Sequence, residues 1–234
     1  MNLTPRDIII NALKEGRYKL LEHEAFQLIK HYGIPSPEVV VVKSPEEAVA
    51  LADKVGYPIA LKIVSPDISH KSDVGGVKLG LRSREEVGKA VKEMLETVPR
   101  RAPSARIVGV LMYNMAPQGL EVIIGGVRDS VFGPVVMFGL GGIFVEVLKD
   151  VSFRVSPVSK EDALTMLKEI KSASILEGYR GQPPVDKDAI AEMIVKTARL
   201  MEDNPEIESI DLNPVMAYSK GAIAVDARII LKHS

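Results

Sequence analysis

Residues 58–80 constrain this chain more than any other stretch: Pro-Ile-Ala-Leu-Lys-Ile-Val-Ser-Pro-Asp-Ile-Ser-His-Lys-Ser-Asp-Val-Gly-Gly-Val-Lys-Leu-Gly. A short apolar run carrying Lys62 gives way to a polar loop with one histidine, His70. Gly75-Gly76 and a second run containing Lys78 follow. The pattern reads as strand, loop, strand. Two lysines on facing strands, joined by a glycine-hinged loop that presents an imidazole, suit the handling of phosphate. Lysine is a compact point charge for phosphate oxygens, and glycine lets backbone N–H groups approach them closely. A neutral imidazole also carries a phosphoryl group covalently. The same residues fit a plain β-hairpin whose exposed loop includes a histidine, and taken alone this stretch supports both readings.

Composition narrows the setting. The chain has 234 residues, enough for one large domain or two small ones around a substantial core. With 46% hydrophobic and 26% charged residues it has the make-up of a soluble globular protein. A formal net charge of −1, with its basic residues dispersed, points away from nucleic acid and from anionic membranes as partners. No apolar run approaches the roughly 18–20 residues that span a bilayer. The first residues show no signal-peptide apolar region, so a cytoplasmic location is expected. The absence of cysteine excludes disulfides, thiolate metal sites and cysteine nucleophiles.

Helices are expected over residues 4–16, with Thr4 as N-cap and Pro5 at the first position, and over residues 21–32. A four-valine strand at 39–42 precedes a helix that starts at Ser44-Pro45 and runs to about residue 55. After the Lys62 hairpin come a helix at 83–96 and a linker at 98–104. Further strands are expected at 106–115, 121–127, 133–139, 144–147 and 151–156. Helices at 160–171 and 186–203 and strands at 207–212 and 222–227 finish the chain. The fold class is therefore α+β, with one subdomain over residues 20–108. A second covers residues 109–234 together with the N-terminal helix at 1–19.

The C-terminal strands carry a second constellation. Asp211 and Asn213 stand two apart on a strand, so their side chains face the same way. Asp226 lies within the apolar run Ile-Ala-Val-Asp-Ala, which a turn at Lys220-Gly221 brings back antiparallel. Converging carboxylates and a carboxamide are hard oxygen ligands suited to a Mg²⁺ that also touches nucleotide phosphates. The alternative is that Asn213 caps a turn before Pro214 and Asp226 makes a surface ion pair. An acid inside an apolar strand works against burial, which favours the metal reading. Residues 110–115, with Met112, Tyr113 and Met115, pass between the two subdomains where a base could be held. Glu121 is placed to accept ribose hydroxyls if a nucleotide sits there; the alternative is that Met and Tyr near an apolar strand simply pack in the core. Gly139-Leu-Gly-Gly142 lacks the spacing of a dinucleotide or P-loop fingerprint and reads as a turn.

Together, the run from Ile59 through Lys62, His70 and Gly75-Gly76-Val77 resembles the β subunit of archaeal ADP-forming acetyl-CoA synthetases. The likeness extends to the segments around Glu121 and Asp211-Leu-Asn213-Pro. More distantly the chain is similar to the nucleotide-binding half of succinyl-CoA synthetase β subunits. Both belong to the ATP-grasp superfamily, in which two α+β subdomains grip a nucleotide. The resemblance implies that residues 1–234 form one ATP-grasp domain using ATP or ADP with Mg²⁺. It implies that Lys62 contacts nucleotide phosphates, that Gly75-Gly76 is the hinge of the loop over them, and that Gly75, Gly76 and Val77 meet the nucleotide. Met112, Tyr113 and Met115 would line the base, although Tyr113 stands where succinyl-CoA enzymes use a glutamate. Glu121 would meet the ribose or phosphate side. Asn213 and Asp226 would hold Mg²⁺ with Asp211 beside them, and His70 would be a phosphorylatable histidine. The implied partner is a CoA-binding α subunit in an α2β2 assembly, with no nucleic acid or membrane. The implied reaction is acyl-CoA plus ADP and phosphate to acid, ATP and CoA. Rival readings are a stand-alone ATP-grasp carboxylate ligase and a nucleotide-sensing or acetyltransferase-associated module.

Overall fold

Short polar motifs set the helix starts. Thr4 and Asp7 form a reciprocal capping box ahead of α1 (Pro5–Lys14), and Ser159 and Asp162 do the same for α5 (Lys160–Glu169). Ser44, Ser83 and Asp186 cap α3 (Pro45–Val55), α4 (Arg84–Arg101) and α6 (Lys187–Asp203) through side-chain oxygens. The helix α2 (Glu22–His31) has acidic residues in its first turn and basic ones in its last, matching its dipole. The linker expected at 98–104 is instead largely helix: α4 continues through Pro99. Val87, Val91, Met94 and Val98 are all buried along one face of α4, and the Ala102 N–H bonds the Val98 carbonyl. Burial of that stripe outweighs the hydrogen bond that proline removes.

The computed structural model describes residues 3–142, 149–179 and 181–233; the strand expected at 144–147 lies outside them. The chain divides into two units. The smaller comprises Leu21–Glu24 and Pro37–Met115. Its four-stranded sheet runs in the order β1 (Val39–Val42), β4 (Gly109–Asn114), β2 (Ile59–Val64), β3 (Val77–Leu81). All its pairings are antiparallel. Because β4 hydrogen-bonds to both β1 and β2, it belongs to this sheet, whereas a boundary at residue 108 would assign it to the strands that follow. Ile59, Leu61, Ile63, Val110 and Met112 form a core with Ala48, Ala52, Val87 and Met94 of α3 and α4.

Lys62 and Lys78 do stand on facing, paired strands, and register decides where each points. Leu61 pairs with Lys78 and Lys62 with Val77, so the two lysines leave the sheet on opposite sides. Lys78 turns to Glu93 of α4 at 3.2 Å, a half-exposed surface pair on the helical side.

The larger unit takes the described residues of Met1–Leu20, Ala25–Ser36 and Ala116–Ser234. Its sheet runs β10 (Arg228–Leu231), β8 (Ile207–Ala217), β5 (Leu120–Asp129), β6 (Gly133–Leu140), β7 (Val151–Val155), with β9 (Ala222–Ala224) paired to β8. α6 packs on β5, β6 and β8. The Arg128 guanidinium ties down the end of α6 by donating to the carbonyls of Met201, Asn204 and Ile207.

Two expectations about strands change here. β8 is longer than the expected 207–212, reaching Ala217 through a bulge: Ile124 pairs with Leu212 but Val122 with Val215. The extra residue falls at the Asn213-Pro214 step, a position where a strand tolerates a residue without an N–H. The strand expected at 222–227 is two short strands separated by Val225, Asp226 and Ala227. Among the described residues no helix is long and apolar enough to cross a membrane.

Candidate functional site

In the smaller unit, alternation along β2 puts Ile59, Leu61 and Ile63 in the helical core and Lys62 on the other face. There the Lys62 ammonium lies 5.6 Å from the centre of the Tyr113 ring and donates to a Glu22 carboxylate oxygen at 2.7 Å. Lys71 donates to the second oxygen of the same carboxylate. All three charged side chains are largely withdrawn from water, with 13%, 7% and 18% of the Lys62, Glu22 and Lys71 side-chain areas exposed. Burial alone raises the Glu22 carboxyl, but the charges and hydrogen bonds of Lys62 and Lys71 outweigh it and hold it below the usual carboxylate range. No sequence motif links either lysine to Glu22. The glutamate sits in a charged helix start that looks solvated, and nothing in the chain marks a partner forty residues away. Lys71 had one signal, its place beside His70.

His70 is exposed on the loop between β2 and β3. The loop has two fixed points. Ile68 is 6% exposed and sits in the core, and Gly76 is buried where the strands converge. Gly76 donates its N–H to the Lys71 carbonyl at 2.7 Å, and its own carbonyl accepts from Ile63 at 2.8 Å. A Cβ at Gly76 would meet Ile63 Cγ2 at 2.6 Å, so this residue is glycine because two chains touch there. Gly75 has φ of 75°, the left-handed turn that a bare backbone adopts freely. Of the two expected hinge residues, Gly75 turns the chain while Gly76, like Val77 after it, is tied into the sheet.

Residues 110–115 split by face. Met112 is fully buried in the helical core, so only its backbone is available to a base. Tyr113 lies on the Lys62 side. Met115 donates its N–H to the Pro58 carbonyl at 2.8 Å, and its sulfur accepts from Gly80 N–H at 3.0 Å.

In the larger unit, Asp211 and Asn213 both project from the same face of β8, while Ile210 and Leu212 are buried on the other. Asp211 pairs in register with Arg228 of β10. The Val225 N–H bonds the Pro214 carbonyl at 3.1 Å, which brings Asp226 beside the Asn213-Pro214 bulge. Asp226 Oδ1 accepts from the Ala227 N–H at 2.8 Å. Burial, then the nearby Asp226 charge, push the Asp211 carboxyl above its ordinary range, with Arg228 opposing. Two hard anionic donors repelling one another beside a carboxamide fit a divalent cation such as Mg²⁺, which would relieve that repulsion. Among the described residues no group of three or more His, Cys, Asp or Glu side chains converges as a metal site would require. Glu121, exposed at the start of β5, accepts the Gly141 N–H on its backbone carbonyl at 2.8 Å. A Cβ on Gly141 would press within 2.9 Å of the Glu121 Cβ, so the glycine-rich turn acts here as a close seat for Glu121.

A nucleotide-handling α+β protein is the class these features define, and a family profile described as an ATP-grasp domain matches residues 11–231. The β subunit of an ADP-forming acetate–CoA ligase of Pyrococcus furiosus is 53% identical over 226 residues, covering 97% of each chain. The acetyl-coenzyme A synthetase 1 of Ca. Korarchaeum cryptofilum, solved with coenzyme A and Ca-AMPCP, superposes with a TM-score of 0.94 at 53% identity. It covers 98% of this chain and 100% of that one. The same enzyme with Mg-AMPPCP, its phosphohistidine segment pointing towards the nucleotide-binding site, gives a TM-score of 0.88 at 49% identity and the same coverage. The chain belongs to the ATP-grasp family, among the β subunits of ADP-forming acetate–CoA ligases. The family, fold and ligase class read from the sequence agree with these relatives.

Proposed function

We propose that this chain is the nucleotide-binding subunit of an ADP-forming acyl-CoA ligase and relays a phosphoryl group through His70 to ADP. The observation that carries this reading is an exposed imidazole whose neighbour, Lys71, meets Lys62 on one buried carboxylate. A relative of 49% identity bears a phosphohistidine segment that turns towards its nucleotide site, which supports the same role for residues 65–76 here. A CoA-binding α subunit, two copies of each chain to an assembly, supplies the phosphoryl group from an acyl phosphate by way of its own histidine.

A lone pair on one neutral ring nitrogen of His70 attacks phosphorus, forming an N–P bond as the bond to the donor breaks. In the final transfer a β-phosphate oxygen of ADP attacks that phosphorus, the N–P bond breaks, and the imidazole leaves neutral as ATP forms. Lys62 neutralises phosphate charge, and the backbone around Gly75 turns the carrier segment. The backbone of Met112, with Tyr113 and Met115, receives the base, and Glu121 accepts ribose hydroxyls. Asp211, Asn213 and Asp226 are the residues to hold Mg²⁺, which when bound neutralises charge on the diphosphate.

Incubation with Mg·ATP labelled in the γ-phosphate tests the reading. Acid-labile, alkali-stable phosphate is expected on His70 by mass spectrometry and absent from His70→Ala. Addition of the purified α subunit should then give acyl-CoA-dependent ATP formation. Phosphate on another residue, or ATP formation undiminished in His70→Ala, would sink the proposal.

A further inference from the structure

One carboxylate serves two ammonium groups that differ in freedom. Lys62 belongs to β2, which is paired on both sides and fixed in its sheet. Lys71 belongs to the carrier loop, next to His70. Across residues 69–75 the other hydrogen bonds are local, Gly75 N–H to the Ser72 carbonyl at 3.0 Å and Gly76 N–H to the Lys71 carbonyl. Among the described residues, Lys71 is the one side chain of that span with a hydrogen bond or ion pair to the body of the unit. Val74 adds an apolar contact at the edge of the core.

We infer that Glu22 is a positioning residue: by clasping Lys71 against Lys62 it holds the empty His70 segment docked at the phosphate lysine, and it lets go when a phosphoryl group arrives. The inference rests on the relay reading given above. A phosphoryl group brings about two negative charges and three acceptor oxygens. On His70 it would stand beside Lys71, and on a nucleotide beside Lys62, competing with Glu22 for the ammonium groups and repelling its carboxylate. The clasp is thus strong for the unloaded arm and weak for the loaded one, which is the order a carrier needs.

Hydrogen exchange by mass spectrometry on the whole chain reads the clasp at the Gly75 and Gly76 amides, whose acceptors lie inside the loop. Lys71→Met and Glu22→Gln should each speed exchange by about tenfold, as loss of one charge-assisted hydrogen bond implies. The double variant should exchange no faster than the quicker single one, because both act on the same bond. Lys71→Arg should return exchange close to the unmodified rate. In single-turnover labelling of His70 by Mg·ATP, Lys71→Met should slow the transfer about tenfold with the ATP dependence unchanged. Exchange that stays within twofold in Lys71→Met overturns the clasp, and faster exchange with an unchanged labelling rate overturns its positioning role. Absence of label on the unmodified chain strikes at the relay itself, a failure separable from a flat exchange result.

Discussion

Alanine at Gly76 puts a methyl group where the structure has no room. The new Cβ would lie 2.6 Å from Ile63 Cγ2 and 2.9 Å from the Lys71 carbonyl oxygen. Carbon atoms in contact sit roughly 3.5–4.0 Å apart, so the two chains must part by about 1 Å. Neither can yield cheaply: Ile63 is fully buried, and both backbone groups of Gly76 are hydrogen-bonded. Overpacking of this kind costs about 1–3 kcal/mol, and stretching one backbone bond adds about 0.5–1.5 kcal/mol. We expect Gly76→Ala to lose about 2–4 kcal/mol, which for a chain of this size lowers Tm by on the order of 5–12 °C. Gly80→Ala is the matched control, since Gly80 has φ of 75° with nothing within 4 Å of a new Cβ. Its left-handed backbone costs about 1–2 kcal/mol, partly offset by about 0.4–1 kcal/mol from a stiffer unfolded chain. Gly75→Ala, with φ of 75° and its nearest atom at 3.5 Å, should behave like Gly80→Ala. Urea midpoints at constant m value, with thermal scans alongside, compare the three. If Gly76→Ala falls within about 0.5 kcal/mol of Gly80→Ala, steric contact at the loop base is not what holds that position.

Other perturbations separate the remaining parts. Removing the guanidinium in Arg128→Met leaves three carbonyls near the α6 terminus without their donor and should cost about 2 kcal/mol in urea, with lysine restoring less than half. Glu22 has a lowered folded pKa, so its contribution is present above the unfolded carboxylate range and lost as pH falls through the folded value. The urea midpoints of the unmodified chain and Glu22→Gln should accordingly converge on acidification; a gap independent of pH would contradict the pairing. Asp211 carries the opposite sign: its raised pKa favours the fold at acid pH and loses that gain as pH rises through the folded value. Asp226→Asn should shrink this acid gain in metal-free buffer and abolish the Mg²⁺-dependent rise in Tm, which an unchanged Mg²⁺ response would rule out.

Much of the fold was legible because its signals are local. Hydroxyl caps at Thr4, Ser44, Ser83 and Ser159 start helices through bonds made within three residues, and the four valines of β1 leave little choice but a strand. What failed was decided at a distance. Pro99 reads as a breaker, but the burial of Val98 carries the helix past it. Lys62 and Lys78 look alike in the sequence, and a one-residue offset in register sends one to Glu22 and the other to Glu93. By its apolar neighbours Asp226 reads as part of a strand, whereas the bulge at Pro214 breaks the ladder opposite it. The Glu22 partnership joins positions with no shared motif, so only the packed chain reveals it.

Ile68 sets the range over which the imidazole can travel. His70 follows it by two residues, and an extended chain gains at most about 3.6 Å per residue. While Ile68 remains seated among Ile63, Met94 and their neighbours, the His70 Cα is leashed within about 7 Å of it. Any longer excursion must first draw that side chain out into water, an uphill step of about 1.5–3 kcal/mol. The distance between two stations visited by one histidine would then be a matter of how readily a single aliphatic anchor is pulled.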